Sequence, residues 1–121
     1  MFDDPQMDAV FQALANENRR RMLDIVKERP GIGVGVLASD FDVSRIAVMK
    51  HIGVLENAGL LVSEKDGRVR RLYFNAVPIQ MIHERWTTEY SAYWSGNLTR
   101  IKYLAETRAM ENEKGEKKRA K

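Results

Sequence analysis

The sequence predicts a small, mainly α-helical domain that carries one β-hairpin, and two patterns support this fold class. Hydrophobic residues recur at every third or fourth position through most of the chain, which is the spacing of amphipathic helices. The stretch 60–74 departs from this spacing and predicts two strands around Asp66-Gly67, a strong signal for a two-residue hairpin turn. We therefore expect about five or six helices and a two-stranded hairpin.

Composition places the chain among globular proteins. Its 121 residues, of which 44% are hydrophobic, are enough for one domain with a single core. Cysteine is absent, which excludes disulfides and thiolate chemistry, and there is neither a signal-peptide pattern nor an apolar run near the ~18 residues that span a bilayer. These features predict a cytoplasmic protein. The net charge of +3 is compatible with nucleic-acid binding without requiring it.

Two predicted helices open the chain. Asp4 is the predicted cap of the first, with Pro5 at its first helical position, and Asn16 caps the second, which ends before Pro30. Three arginines, 19–21, lie in the first turn of the second helix, where the helix dipole disfavours cations. They could pair with neighbouring carboxylates or contact phosphate groups, and we favour the carboxylates.

A helix over 45–57 carries the functional prediction. Ser44 is a preferred N-cap residue, and one side of the helix is apolar, as a core requires. The opposite side presents Ile46, Met49, Lys50 and Gly53 and no carboxylate. A solvated face would gain from Glu and Lys. A face that enters the major groove of DNA instead requires low bulk, no negative charge and apolar groups for thymine methyls. The alternative is a core helix whose outer side has no function.

The surrounding segments complete a DNA-binding motif. A weaker helix over 34–41 and a short turn precede the helix 45–57, which is a helix-turn-helix pattern. The hairpin 60–74, the wing, carries four cations near its tip, of which Arg68 and Arg70 are best placed to reach phosphates or a minor groove. The alternative is a solvated hairpin whose charges prevent edge-to-edge aggregation. Together these segments predict a winged helix-turn-helix that binds double-stranded DNA.

The last predicted helix, from Pro78 to about residue 109, is unusually apolar and aromatic, with Gly96-Asn97 as a candidate break. So much apolar surface suits a symmetric homodimer that pairs this helix and the first helix with their copies; the alternative is burial within one chain. We expect residues 1–110 to form the domain and the charged residues 111–121 to be a disordered tail. The predicted dimer interface comprises Met7, Val10, Phe11, Trp86, Tyr90, Trp94, Leu98 and Ile101.

Two stretches, MDAVFQALANENRRRMLDIV (7–26) and VSRIAVMKHIGVLENAGLLVSEKDGRVRRLYFN (43–75), resemble the ArsR-type winged-helix repressors, and the likeness extends from about Met7 to Tyr103. The resemblance implies a homodimer that binds an inverted repeat. It marks Ser44, Arg45, Met49, Lys50 and His51 on the reading helix and Arg68 and Arg70 on the wing. To these we add Ile46 as a base contact. For His51, a hydrogen-bonded structural role is the alternative.

The chain also departs from the family pattern. Met49 stands where many members carry Ser, so base preference should differ. The cysteine pair of metal-sensing members is absent from 36–40. On the last helix, His83 and Glu84 form a poor chelate because adjacent helical residues point about 100° apart. We therefore predict no metal and no cofactor, and the effector, if one exists, is not encoded in a legible motif.

Two other function classes compete with DNA binding. The chain could be a winged-helix protein-interaction module that has lost DNA binding, since Ile46 and Met49 are apolar, but the basic wing argues against this. An enzyme is not supported, because no Ser/His/Asp, paired-carboxylate or phosphate-loop pattern is present.

Overall fold

The computed structural model describes residues 2–87 and 95–119. These residues form six helices and a three-stranded sheet, which confirms the predicted fold class. They fall into two compact units, Met1–Arg85 and Trp86–Lys121. The elements are α1 (Asp4–Leu14), α2 (Glu17–Glu28), β1 (Ile32–Gly33), α3 (Val34–Ser39), α4 (Arg45–Asn57), β2 (Leu61–Asp66), β3 (Val69–Phe74), α5 (Val77–Thr87) and α6 (Ser95–Arg119).

Side-chain caps fix where the helices begin. The Ser44 hydroxyl accepts the backbone N–H of Ala47 at 3.1 Å, so the predicted cap of α4 is confirmed. Asn16 caps α2 as predicted. The cap of α1 is Asp3 rather than Asp4, because Asp3 and Gln6 exchange side-chain and backbone hydrogen bonds in a capping box.

The sheet corrects the predicted hairpin in two respects. Asp66 pairs with Val69, so the two turn residues are Gly67 and Arg68 instead of Asp66 and Gly67. Gly67 has a φ of +62° at the first central position, where type II′ turns require glycine. The short strand β1, not predicted from the sequence, pairs antiparallel with the other side of β3, giving the strand order β1-β3-β2.

The core lies between α1–α4 and the inner face of the sheet. On α4 the predicted apolar side is confirmed, because Val48, Ile52 and Leu55 are fully buried while Ile46 on the opposite side is 72% exposed. Gly59, with a φ of +77°, follows the last turn of α4 and directs the chain into β2. The buried cluster comprises Val10, Ala13, Met22, Leu23, Val26, Ile32, Val34, Leu37, Phe41, Val48, Ile52, Leu55, Leu60, Leu61 and Leu72.

The C-terminal region forms two helices where one interrupted helix was predicted. Helix α5 ends at Thr87 and α6 begins at Ser95, so the candidate break at Gly96-Asn97 lies in the first turn of α6. Helix α6 continues to Arg119, and the segment 111–119 is therefore helical rather than lacking secondary structure as its composition predicted. Among the described helices none is both long and apolar enough to cross a membrane.

The opposite surroundings of two isoleucines on α4 give a matched stability test. Ile52→Ala removes a fully buried side chain, so we expect it to lower the free energy of unfolding by about 2–5 kcal/mol. Ile46→Ala, on the exposed side, should change this free energy by no more than about 0.5 kcal/mol. Urea unfolding at fixed protein concentration measures both values. Equal losses would contradict the orientation of α4.

Candidate nucleic-acid interface

The exposed face of α4 has the predicted chemistry. Arg45, Ile46, Met49 and Lys50 are all exposed there. The orientation follows from the burial of the opposite side in the core, and the first turn is held by Ser44. The face therefore presents two cations and two apolar side chains on a rigid helix, which is the chemistry that suits the major groove of DNA.

The four cations of the wing have different surroundings. Arg68 lies in the turn and is exposed. Arg70, predicted to contact DNA, donates to the carboxylate of Glu56 near the C-terminal end of α4. Arg71, on the other face of the hairpin, donates from Nε to the Asp66 carboxylate at 2.8 Å and from Nη1 to the Gly31 carbonyl at 3.0 Å. Two of the four wing cations are thus engaged within the chain.

A groove of about 380 Å³ lies between α4 and the wing. Arg45 and Met49 line it from α4, the residues 68–70 line it from the wing, and the residues 33–36 form its third side. In a duplex one sugar–phosphate backbone separates a major groove from the adjacent minor groove. A helix in the major groove and a wing in the adjacent minor groove would therefore enclose that backbone. Arg45 on α4 and Arg68 on the wing line the protein groove from opposite sides.

The arginines 19–21 do not form the favoured ion pairs among the described residues, and all three donate to backbone carbonyl groups. Arg19 donates from Nε to the Ala13 carbonyl at 2.8 Å and from Nη2 to the Gln12 carbonyl at 2.9 Å. Arg20 donates to the Leu14 carbonyl at 2.8 Å. These carbonyls end α1, where the helix dipole favours cations. The signal in the sequence was the short gap between the end of α1 and the arginines, which brings them beside that helix terminus.

Arg21 connects α2 to the turn of the helix-turn-helix. Its Nη2 donates to the Asp40 carbonyl at 3.2 Å, and its guanidinium carbon lies 4.9 Å from the centre of the Phe41 ring. A cation over an aromatic face is favourable, so this contact helps to position the turn that precedes α4.

His51 faces Arg19 rather than the exposed side of α4. Its Nδ1 lies 3.2 Å from Nη1 of Arg19. A guanidinium can only donate, so Nδ1 accepts and the imidazole is neutral with its proton on Nε2. Burial and then the Arg19 charge lower the pKa of His51 from its ordinary value of 6.5. The geometry therefore matches the structural role that was weighed for this residue.

The predicted dimer residues separate into three groups. Met7 and Val10 are buried within the chain, so their side chains already have partners and are not available to a second copy. Phe11 (46% exposed), Trp86 (58%) and Ile101 (60%) present apolar surface. Tyr90 and Trp94 lie outside the described residues, as does the side chain of Leu98.

Metal ligands do not cluster in the part of the chain that the structure describes: no three His, Cys, Asp or Glu side chains lie close enough to share an ion. Glu84, one of the two residues considered as ligands, accepts a hydrogen bond from Gln80 at 3.2 Å.

The lowered pKa of His51 predicts a pH-dependent stability. Because the folded chain holds this imidazole neutral, the unfolded chain binds its proton more readily, and stability is lost as pH falls from about 6.5 toward the folded pKa. His51→Gln keeps an acceptor for Arg19 and cannot titrate. We expect the loss in the free energy of unfolding between about pH 7.5 and about pH 5.5 to be smaller in this variant than in the wild type. Urea unfolding at both pH values measures it, and an equal or larger loss in the variant would contradict the assignment.

Comparison with known proteins gives the same fold and class. Residues 14–64 match the model of a helix-turn-helix domain. The chain is 36% identical over 85 residues to the HTH-type transcriptional regulator YuzN of Bacillus subtilis, covering 65% of this chain and 92% of that protein. It is 26% identical over 74 residues to the transcriptional repressor SdpR of the same organism, covering 61% and 81% of the two chains.

A solved structure extends the likeness to three dimensions. The crystal structure of an ArsR family transcriptional regulator superposes with a TM-score of 0.63 and 36% identity, over 78% of this chain and 96% of that one. The fold of the present chain, with the exposed face of α4 and the arginine-bearing wing, agrees with this match. The chain therefore belongs to the ArsR family of winged helix-turn-helix, DNA-binding transcriptional regulators.

Proposed function

We propose that this regulator is a homodimeric repressor that binds an inverted-repeat operator in double-stranded DNA. The observation that carries the proposal is the exposed, carboxylate-free face of α4 beside Arg68 at the tip of the wing. In a duplex, α4 enters the major groove and the wing follows the adjacent backbone or minor groove. The name of the relative SdpR, a transcriptional repressor, supports the direction of regulation.

Each side chain of the interface has a distinct task. Lys50 and Arg68 neutralise phosphates and set the register of the protein on the duplex. Arg45, at the N-terminal end of α4, pairs with a guanine edge, and Ile46 with Met49 contacts thymine methyls. Ser44 caps α4, and His51 contacts Arg19 on α2. Both residues therefore affect DNA binding by fixing the position of α4.

The dimer is proposed from the C-terminal unit. On α6 the large apolar side chains Ile101, Tyr103 and Leu104 are each more than half exposed. Ile101, Leu104, Ala105 and Arg108 line one side of the helix at spacings of three and four residues. An exposed apolar stripe of this kind is stabilised by association, and a symmetric pair supplies the two copies of α4 that an inverted repeat requires.

Two substitutions separate phosphate contact from base reading. We expect Arg68→Ala to weaken binding to all duplexes alike and to reduce the slope of log K against log salt by about 0.9. Arg45→Ala should instead cost about 1–3 kcal/mol at one base position. Fluorescence anisotropy with a duplex selected from a random pool, and with a scrambled duplex of equal composition, measures both effects across salt concentrations.

The control is Lys27→Ala, which removes one charge from an exposed position of α2 outside the groove between α4 and the wing. It should leave both the salt slope and the base preference unchanged. A protein-interaction module without DNA binding would show no steep salt dependence in the wild type, and that result would overturn the proposal.

The dimer has its own test. Ile101→Glu places a carboxylate in the apolar stripe of α6, and we expect it to shift the protein from dimer to monomer in sedimentation velocity. Lys102→Glu places the same group one residue further along, about 100° around the helix, and should leave the dimer intact. A wild type that sediments as a monomer would contradict the proposed dimer. The DNA contacts of a single chain would still be tested by fluorescence anisotropy.

A further inference from the structure

We propose that Glu56 and Arg70 form a strut that fixes the wing against α4, and that Arg70 is a positioning residue instead of a phosphate contact. The inference rests on the proposed function, because the strut matters for presenting α4 and Arg68 to one duplex. It changes the role that the sequence and the family resemblance gave to Arg70.

One carboxylate joins three elements. Glu56 lies in the last turn of α4; its Oε1 accepts from Nη2 of Arg70 on β3, and its Oε2 accepts from the Ser63 hydroxyl on β2 at 3.3 Å. Both strands of the wing are therefore tied to the same point of α4. The Glu56 side chain is 24% exposed and that of Arg70 is 40% exposed, so the pair is partly shielded from solvent.

The register of the hairpin explains why Arg70 faces α4. Side chains alternate between the two faces of a strand, and Leu72 is fully buried on the inner face, so Arg70 lies on that inner face as well. Its partner across the ladder is Lys65. Like charges directly opposite one another are destabilising, and the Glu56 carboxylate offsets this repulsion.

The other face of the wing is held independently. Arg71 binds Asp66 within the hairpin and the Gly31 carbonyl outside it. With Arg70 fixed on one face and Arg71 on the other, the turn holds Arg68 at a defined distance from α4. The cations of the wing that are exposed for DNA are then Lys65 and Arg68.

The rival interpretation is that Arg70 leaves Glu56 and binds a phosphate. The two roles differ in how Arg70 and Glu56 affect Arg68. A strut makes the contribution of Arg68 depend on the pair, whereas two independent phosphate contacts are additive.

The experiment is a double-mutant cycle read by anisotropy with the selected duplex. At a salt concentration of about 0.15 M, Arg68→Ala should weaken binding roughly fivefold in the wild type, since one phosphate contact contributes to the binding constant a factor of the molar salt concentration raised to a power of about −0.9. In Glu56→Gln and in Arg70→Gln, the same change should weaken binding less than about twofold because the wing no longer holds its tip in place. The reversed pair Glu56→Arg/Arg70→Glu should restore the fivefold effect.

The matched control is Glu64→Gln, which changes the charge equally at an exposed position of β2 that faces Arg71 in the register. In this variant Arg68→Ala should retain its full effect. The strut is wrong if Arg68→Ala has the same effect in Glu56→Gln as in Glu64→Gln. A salt slope that falls by about 0.9 in Arg70→Gln, additively with Arg68→Ala, would establish Arg70 as a phosphate contact.

A measurement without DNA separates the strut from the proposed function. Amide hydrogen exchange across residues 63–72 should be faster in Glu56→Gln than in Glu64→Gln, because only the former loses the tie to α4. Equal exchange rates would overturn the strut even if DNA binding is confirmed. Faster exchange in a protein that shows no salt-dependent DNA binding would support the strut and overturn the proposed function.

Discussion

The burial of one side of α4 is the constraint on which the interface depends. Val48, Ile52 and Leu55 are fully enclosed, so α4 cannot rotate without exposing them to water. Each such side chain contributes roughly 1.5–3 kcal/mol of transfer free energy, which outweighs the preferences of the residues on the opposite side. The core thereby forces Ile46 and Met49 outward, where hydrophobic residues gain nothing in the isolated chain. A partner surface such as a DNA groove would give this exposed pair a favourable contact.

Arginine connects the elements around this core in an unexpected way. Arg19, Arg21 and Arg71 all donate to backbone carbonyls at the ends of other elements. A planar guanidinium with five donors can satisfy several acceptors at once, which a lysine cannot do. Arg19 connects three helices, because it lies on α2 and contacts both the last turn of α1 and His51 on α4. The count of basic residues therefore overstates the charge available to DNA.

The contrast between the predicted and observed features follows from the range of the interactions involved. The two faces of α4, its Ser44 cap and the cap of α2 depend on neighbours within one or two turns, so periodicity and local chemistry were sufficient. The turn moved by one residue, because Asp-Gly can place glycine at either central position and only the ladder decides. Strand β1 is too short for any periodicity, and its existence depends on pairing with a strand forty residues later. The role of Arg70 required the register as well, although alternation from Leu72 would have indicated its face.

The partial neutralisation of the wing bears on how the protein finds a specific site. In the proposed complex, with Arg70 and Arg71 engaged internally, each chain would offer Lys50, Lys65 and Arg68 to phosphates, and three contacts would give a salt slope of only roughly 3. Such a slope corresponds to weak binding of any sequence by one chain. In the proposed dimer, two chains would double the number of contacts and add two sets of base contacts, so affinity would rise steeply only where both half-sites are correct. Under the proposed assembly, a regulator with a net charge of +3 would avoid strong attachment to arbitrary DNA and would derive its selectivity from α4 and from dimerisation.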